Sequence, residues 1–297
     1  MSRLWLDQTE RGTYVLVKAI RWIAIWCGRR FTRMFLYPIV LYFYCTARLQ
    51  REASREYLEK VFGTPPKFRA VFKHFHMFAS TIVDRVYFLT NRFDKFEIEI
   101  DDQSPMLKYI AQKRGCILLG AHIGSFEVMR ALAASRKTIP IKILMNQGHN
   151  NRITALLHAL NPAILDTLIP MTSIESIMQI KEQIEQGAVI GILGDRAIAG
   201  AKSAKVEFLG TNANIPIGPL LIASILKTPV IVCYGIYLGK NKYLIKLDLF
   251  SEEILVNRAN RTESLERWVR QYASNMESIV KQYPYNWFNY YPFWNQS

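Results

Sequence analysis

Cysteine is scarce in this sequence, and the glycine-rich and metal-ligand signatures of the commoner enzyme classes are missing. Four cysteines stand at positions 27, 45, 116 and 233 of 297 residues, with no spacing that suits a metal. Cys116 and Cys233 lie inside apolar, strand-like runs. They read as buried thiols in a reducing compartment, not as parts of a disulfide framework. There is no P-loop, no Rossmann glycine triplet, no G-x-S-x-G elbow and no zinc spacing. Most nucleotide, hydrolase and metalloenzyme readings therefore fall away, and no metal is expected. No internal repeat and no Gly/Ser linker divides the chain. Residues 34–47 carry no formal charge, but 14 residues fall short of a spanning run, which needs roughly 20. Nothing near the N-terminus resembles a cleavable signal peptide, because the charges continue through the apolar part.

Acidic residues are in deficit: 38 Lys and Arg face 24 Asp and Glu, a net charge of +14. Residues 1–51 hold nine of those cations against two carboxylates, which is half of the net charge. The cations interleave with apolar and aromatic residues, and no recognised basic motif for nucleic acid is present. That pattern favours an anionic membrane surface over nucleic acid. Residues 13–48 are expected to form a membrane anchor that either spans or lies in the interface, with Trp22 and Trp26 one turn apart on one side. The competing reading is a buried helical hairpin. The expected organisation is an N-terminal basic, apolar helical region over residues 1–92 and an α/β domain over 93–297.

Helices are predicted over 54–62, closed by Gly63 and Pro65-Pro66, and over 71–89. His74 and His76, two apart on the second helix, cannot readily share a metal and read as structural or surface residues. Strands are predicted over 96–100, 116–119, 141–145, 164–169, 189–193, 229–237 and 243–249. The last two should pair antiparallel through Gly239-Lys240-Asn241. Helices are predicted over 104–113, with Pro105 at the first position, and over 126–132, 150–160, 173–186, 216–226 and 261–282. A capping box over 172–175 should open the one at 173–186. Residues 197–208 read as a loop. This alternation means a mixed, mostly parallel sheet with helices on both faces.

The chain is organised around residues 115–131. Cys116-Ile117-Leu118-Leu119 is wholly apolar, as a buried strand is. Gly120-Ala121 are small, His122 stands at the expected strand end, and Gly124-Ser125 turn the chain. Glu127 follows on the first helical turn. Ligand sites in open α/β sheets favour the carboxyl ends of strands. A neutral imidazole there can take a proton from a hydroxyl, and a carboxylate on its other nitrogen fixes the tautomer. Gly194-Asp195-Arg196 stands at a second strand end. If the two strands are parallel neighbours, His122, Asp195 and Arg196 face one crevice. Arg196 then either binds an anion through its planar fork or pairs with Asp195 to cap the turn.

Ala121-His122-Ile123-Gly124-Ser125-Phe126-Glu127 resembles the histidine–four residues–acid signature of the lysophospholipid acyltransferase superfamily. The order of further motifs resembles the bacterial lipid A late (lauroyl/myristoyl) acyltransferase branch. These are the Asp195 turn, Val206-Glu207-Phe208-Leu209-Gly210, the segment from Pro216-Ile217-Gly218-Pro219 to Pro229-Val230-Ile231, and Asn286-Trp287-Phe288-Asn289-Tyr290-Tyr291. Two departures stand out. Ala121 occupies a position where the branch often has Asn, and Gly194-Asp195-Arg196 replaces the wider superfamily's Pro-Glu-Gly.

The resemblance implies a membrane-bound O-acyltransferase at the cytoplasmic face of a bacterial inner membrane. His122 would be the base and Glu127 would orient its ring. Asp195, Arg196, Gly124 and Ser125 would contact substrate, with amides near Gly124 as a candidate oxyanion site. The donor would be acyl carrier protein or coenzyme A thioester, with the carrier protein preferred. The acceptor would be a lipid or glycolipid. No cofactor is implied and no covalent acyl-enzyme is needed. The alternative is a non-catalytic lipid-binding or membrane-scaffold protein.

Overall fold

The computed structural model describes residues 13–129, 140–145, 167–170, 174–196 and 201–294. Helix α1 (Thr13–Thr46) is two helices that meet at Gly28, whose φ of 78° and ψ of 163° break the helical path. Left-handed φ of this kind is cheap only for glycine, so the break falls where the sequence places one. Helices α2 (Arg48–Phe62) and α3 (Phe68–Leu89) follow, and Gly63 closes α2 in the left-handed conformation. Then come β1 (Glu97–Ile100), α4 (Ser104–Ala111), β2 (Cys116–Gly124), β3 (Ile141–Met145), β4 (Leu168–Pro170) and α5 (Ile174–Glu185). The chain continues through β5 (Val189–Leu193), β6 (Ser203–Phe208), β7 (Thr211–Pro216), α6 (Gly218–Leu226), β8 (Val230–Gly239), β9 (Lys242–Ser251) and α7 (Arg261–Gln282).

Among the described residues, seven strands form one sheet in the order β1-β9-β8-β2-β5-β3-β4. Every neighbouring pair is parallel except the β8–β9 hairpin. The expected mixed, mostly parallel sheet is therefore present. Alternate residues of β2 enter two different cores. Ile117, Leu119, Ala121 and Ile123 pack with α5, α6 and α7 on one face. Cys116 and Leu118 pack with α4 and the second half of α3 on the other. Burial on both faces explains why the central strands read as continuous apolar runs.

Several expectations are corrected or fall outside the described residues. The strand that carries His122 runs on to Gly124. The chain after it makes only a short 3-10 turn over Phe126–Met129 among the described residues. The predicted helix at 150–160 lies outside them, as do Thr172 of the capping box and much of the strand at 164–169. The expected loop at 197–208 holds β6, which pairs antiparallel with β7 in a separate two-stranded sheet. Its alternating burial, with Ala204, Val206 and Phe208 inside, was visible in the sequence as a period-2 pattern. No described helix is long and apolar enough to cross a membrane, so the spanning form of the expected anchor has no support.

The N-terminal helices are tied to the sheet by buried polar contacts. Arg29, just after the Gly28 break, donates both Nε and Nη2 to the Asp84 carboxylate at 2.6 and 2.7 Å. The Tyr243 hydroxyl of β9 donates to the same carboxylate at 2.8 Å. Such a bidentate pair restricts direction as well as distance, so α1, α3 and the β8–β9 hairpin meet in one geometry.

A second tie runs through His74, which is fully buried. Its Nε2 lies 2.9 Å from the Trp287 carbonyl and its Nδ1 lies 2.8 Å from Ser54 Oγ. A carbonyl can only accept, so Nε2 carries the proton and Nδ1 accepts from the Ser54 hydroxyl. Burial pushes the His74 imidazole down to about 4, against the Trp287 carbonyl that favours the proton.

The unfolded chain takes up a proton at this histidine near its ordinary value of about 6.5, whereas the folded chain takes it up only near 4. The unfolded state therefore binds more protons within that window. Stability is full above the window and falls as pH drops through it, by about 3 kcal/mol for this group. Thermal denaturation between pH 4 and 7 should show the fall. His74→Gln, which keeps a donor for the Trp287 carbonyl, should flatten the slope; an unchanged slope would remove His74 as its source.

Candidate active site

The site is assembled at the carboxyl ends of β2 and β5. The strands are parallel neighbours with Gly120 opposite Leu193, and the Gly194 N–H closes the pairing on the Gly120 carbonyl at 2.9 Å. On its other side, β2 keeps register with β8 up to Gly120 and resumes at Gly124. His122 falls in this irregular stretch, and irregularities of this kind re-aim a side chain that a regular strand would fix. The irregularity is held by close backbone approach. A Cβ on Gly235 would stand 2.1 Å from the Ser125 carbonyl oxygen, and one on Gly124 would stand 1.9 Å from the Gly235 oxygen.

His122 Nδ1 lies 2.8 Å from Asp195 Oδ1. The Asp195 side chain is fully buried, while 34% of the His122 side chain is exposed. The second Asp195 oxygen accepts the indole N–H of Trp287 at 3.1 Å. Burial alone would raise the Asp195 carboxyl. His122, then Arg196 and the Trp287 N–H, outweigh it and hold the group well below the usual carboxylate range. Asp195 is therefore ionised and can only accept, which places a proton on His122 Nδ1 and leaves Nε2 with its lone pair. Nε2 has no partner among the described residues. Burial lowers the His122 imidazole, Arg196 and more weakly Arg85 act with it, and Asp195 opposes them. The net effect is a neutral ring with one nitrogen oriented and the other open, which suits a general base.

Glu127, expected to orient that ring, does not hold it. Its carboxylate pairs with Arg85 of α3 at 2.7 Å and accepts the Ser125 hydroxyl at 3.1 Å. The five-residue spacing sends the side chain beyond the turn toward α3, whereas Asp195 arrives beside His122 through strand pairing. The amides near Gly124 are also occupied. Gly124 N–H donates to the Asn286 carbonyl and Ser125 N–H to the Gly235 carbonyl, both at 2.7 Å. Ser125 itself is buried. These amides are not free to stabilise an oxyanion, which corrects that expectation.

Arg196 does lie at the same strand end as Asp195. It donates one nitrogen to the Phe288 carbonyl at 2.8 Å and sets its guanidinium over the Tyr291 ring. Its Nε is buried without a hydrogen-bond partner among the described residues. The turn-capping alternative, a direct pair with Asp195, is absent among the described contacts.

Two residues of the site gave no local signal in the sequence. Arg85 is one cation among many on a helical pattern, and only packing brings it to Glu127. Trp287 sits in an aromatic segment that reads equally as core; its N–H becomes informative only when a buried carboxylate lies opposite.

The chain matches the bacterial lipid A biosynthesis acyltransferase family over residues 5–296. No curated protein matches it closely enough to be named as a relative. With nearly the whole chain matched and a base-competent histidine at the centre of its sheet, this protein belongs to the bacterial lipid A biosynthesis acyltransferase family.

Proposed function

We propose that the protein moves a fatty acyl group from a thioester donor to a hydroxyl of a lipid or glycolipid acceptor, with His122 as general base. The observation that carries this reading is the His122 ring, fixed at Nδ1 by a buried carboxylate and open at Nε2. His122 Nε2 takes the proton of the acceptor hydroxyl as its oxygen attacks the thioester carbon. The imidazolium that forms is stabilised by Asp195. Collapse of the tetrahedral intermediate breaks the C–S bond, and the departing sulfur takes the proton from Nε2. No serine or cysteine nucleophile is required. Cys116 and Cys233 fit this, since burial pushes both thiols up to about 12.

Arg196 is assigned to an anionic group of donor or acceptor, consistent with its unpartnered Nε. Glu127 neutralises Arg85 beside the base and so keeps a second uncompensated cation away from His122. Acyl carrier protein is the preferred donor, because acidic partners are steered to a chain of this net charge.

His122→Ala should cost turnover by roughly 10²–10⁴-fold, the usual worth of a general base. Asp195→Asn should approach that loss, because an amide can present its N–H₂ to Nδ1 and favour the wrong tautomer. Glu127→Gln leaves the His122–Asp195 pair intact but uncovers Arg85. It should lower turnover and move the acidic limb of the rate profile to lower pH. Substantial acyl transfer by His122→Ala would remove His122 as the base, and no thioester consumption by the wild-type chain would favour a lipid-binding protein without catalysis.

Arg196→Lys keeps the charge and loses the planar fork. It should raise KM for one substrate severalfold, with little change in melting temperature. KM values unchanged from wild type for both substrates would confine Arg196 to holding the Phe288 carbonyl.

The second half of α1 supports association with the cytoplasmic face of the bacterial inner membrane through the interface. Phe31, Met34, Phe35, Tyr37, Leu41 and Tyr42 are all exposed along it, with Arg48 and Arg51 just beyond. Apolar residues beside cations suit anionic headgroups. Met34→Asp with Tyr42→Asp should reduce cosedimentation with phosphatidylglycerol vesicles severalfold. Undiminished binding would place the membrane contact elsewhere on the chain.

A further inference from the structure

The segment that follows α7 passes over the candidate site and touches it repeatedly. The Phe288 N–H donates to the His122 carbonyl at 3.0 Å, and Asn286 O receives the Gly124 N–H at 2.7 Å. The Asn286 side chain accepts from Tyr237 N–H at 2.8 Å and donates to the Tyr237 carbonyl at 3.1 Å. Residues 286–288 are thereby fixed to β2, which carries His122, and to its neighbour β8. Between them, the Trp287 side chain turns inward and is almost fully buried. Its ring is boxed edge-on by Tyr57, Phe208 and Phe293, with centroids 5.0, 5.2 and 4.9 Å away. The Trp287 carbonyl is held by the His74 Nε2–H. The indole has one polar atom, and that atom donates to the Asp195 oxygen that His122 does not use.

We propose that Trp287 is a positioning residue for the transfer reaction: its indole N–H locks the Asp195 carboxylate in the orientation that presents one oxygen to His122 Nδ1 and spreads the carboxylate's negative charge. The inference rests on the reading of His122 as the base. Several features of the site support it. Asp195 is fully buried, so water cannot satisfy the second oxygen. A carboxylate with one free oxygen could rotate about its last side-chain bond and release the imidazole. Trp287 and its neighbour Phe288 hold the side chain that faces the ring and the backbone that bears the ring, so one dipeptide sets both ends of the pair. A buried indole also needs a partner for its N–H, and Asp195 gives it a charged one.

Among the described residues, charged and titratable groups from several elements surround the pair. Arg196 follows Asp195, Arg85 reaches in from α3, and Glu127 stands after β2. Tyr234 of β8 and Tyr272 of α7 lie close enough to feel the Asp195 charge. Besides His122 itself, the Trp287 N–H is the uncharged donor on Asp195, and it can be removed without changing net charge. Without it the negative charge is concentrated on Asp195, and protonation of His122 becomes easier. The acidic limb of kcat/KM reports the free enzyme's base, so that limb should move to higher pH. Glu127→Gln should move it the opposite way.

The test is the pH profile of acyl transfer by the full chain carrying Trp287→Phe. Because this ring is deep in the core, a second variant replaces Trp287 with benzothienylalanine, which keeps the bicyclic shape and exchanges N–H for sulfur. Loss of a hydrogen bond to a charged group should reduce kcat by roughly 10- to 100-fold. The acidic limb should rise by up to about one pH unit, with KM little changed, in both variants. A benzothienyl variant with the wild-type limb and kcat overturns the inference, as does reduced kcat with an unmoved limb, which marks a packing role alone. His122→Ala is measured alongside. If it is inactive while the benzothienyl variant behaves as wild type, only the role of Trp287 fails; if His122→Ala is active, the reading of the base fails and takes this inference with it.

Discussion

An ionised carboxylate with no exposure to water is the constraint around which this molecule is arranged. Removing such a group from solvent costs several kcal/mol unless its oxygens are satisfied. Asp195 meets that requirement with His122 Nδ1 on one oxygen and the Trp287 N–H on the other, and Arg196 adds a nearby positive charge. Each partner comes from a different part of the chain. Strand β2 supplies the imidazole, the turn after β5 supplies the carboxylate and guanidinium, and the segment after α7 supplies the indole. The site can exist only when the sheet is paired in register and the C-terminal segment is seated.

Both ends of the chain close on that centre. Ser54 and His74 bring α2 and α3 to the Trp287 carbonyl, and the Tyr57 hydroxyl donates to the Pro284 carbonyl at 2.7 Å. The Arg29–Asp84 pair with Tyr243 fixes the start of the second half of α1 against the β8–β9 hairpin. The N-terminal helices therefore share a core with the α/β layers. Val40, Tyr57, Leu58, Val71 and Phe75 belong to the same buried cluster as Ile117 and Leu119. The exposed apolar face of α1 is thereby held at a set angle to the crevice.

The distribution of charge around His122 also has a functional sense. Two guanidinium groups, Arg85 and Arg196, bear on the ring and favour its neutral form. Asp195 opposes them, and in the proposed reaction it stabilises the cation once the proton is taken. Glu127 covers one guanidinium, while the other keeps a nitrogen without a hydrogen-bond partner among the described residues. The balance favours an imidazole that is neutral at rest and supported when it becomes charged.

Most of the architecture was legible in the chain because it depends on local periodicity. Continuous apolar runs marked the central strands, and Gly63 marked a helix end. The Gly239-Lys240-Asn241 turn marked the hairpin. The residues at the two strand ends, His122 and Asp195, could be named because parallel neighbours must present their carboxyl ends together. Periodicity says nothing about which acid meets which nitrogen. Glu127, five residues from His122, looked like its partner; Asp195, 73 residues away, is the one in contact. A side chain's direction at a bulged strand end is set by backbone approach between Gly124 and Gly235, not by sequence distance. The strands, the histidine and the aromatic segment follow from the chain's own pattern. That Asp195 holds the imidazole, Trp287 holds Asp195 and Glu127 holds Arg85 follows from packing alone, because hydrogen-bond partners are chosen by which buried groups the packed elements bring within reach of one another.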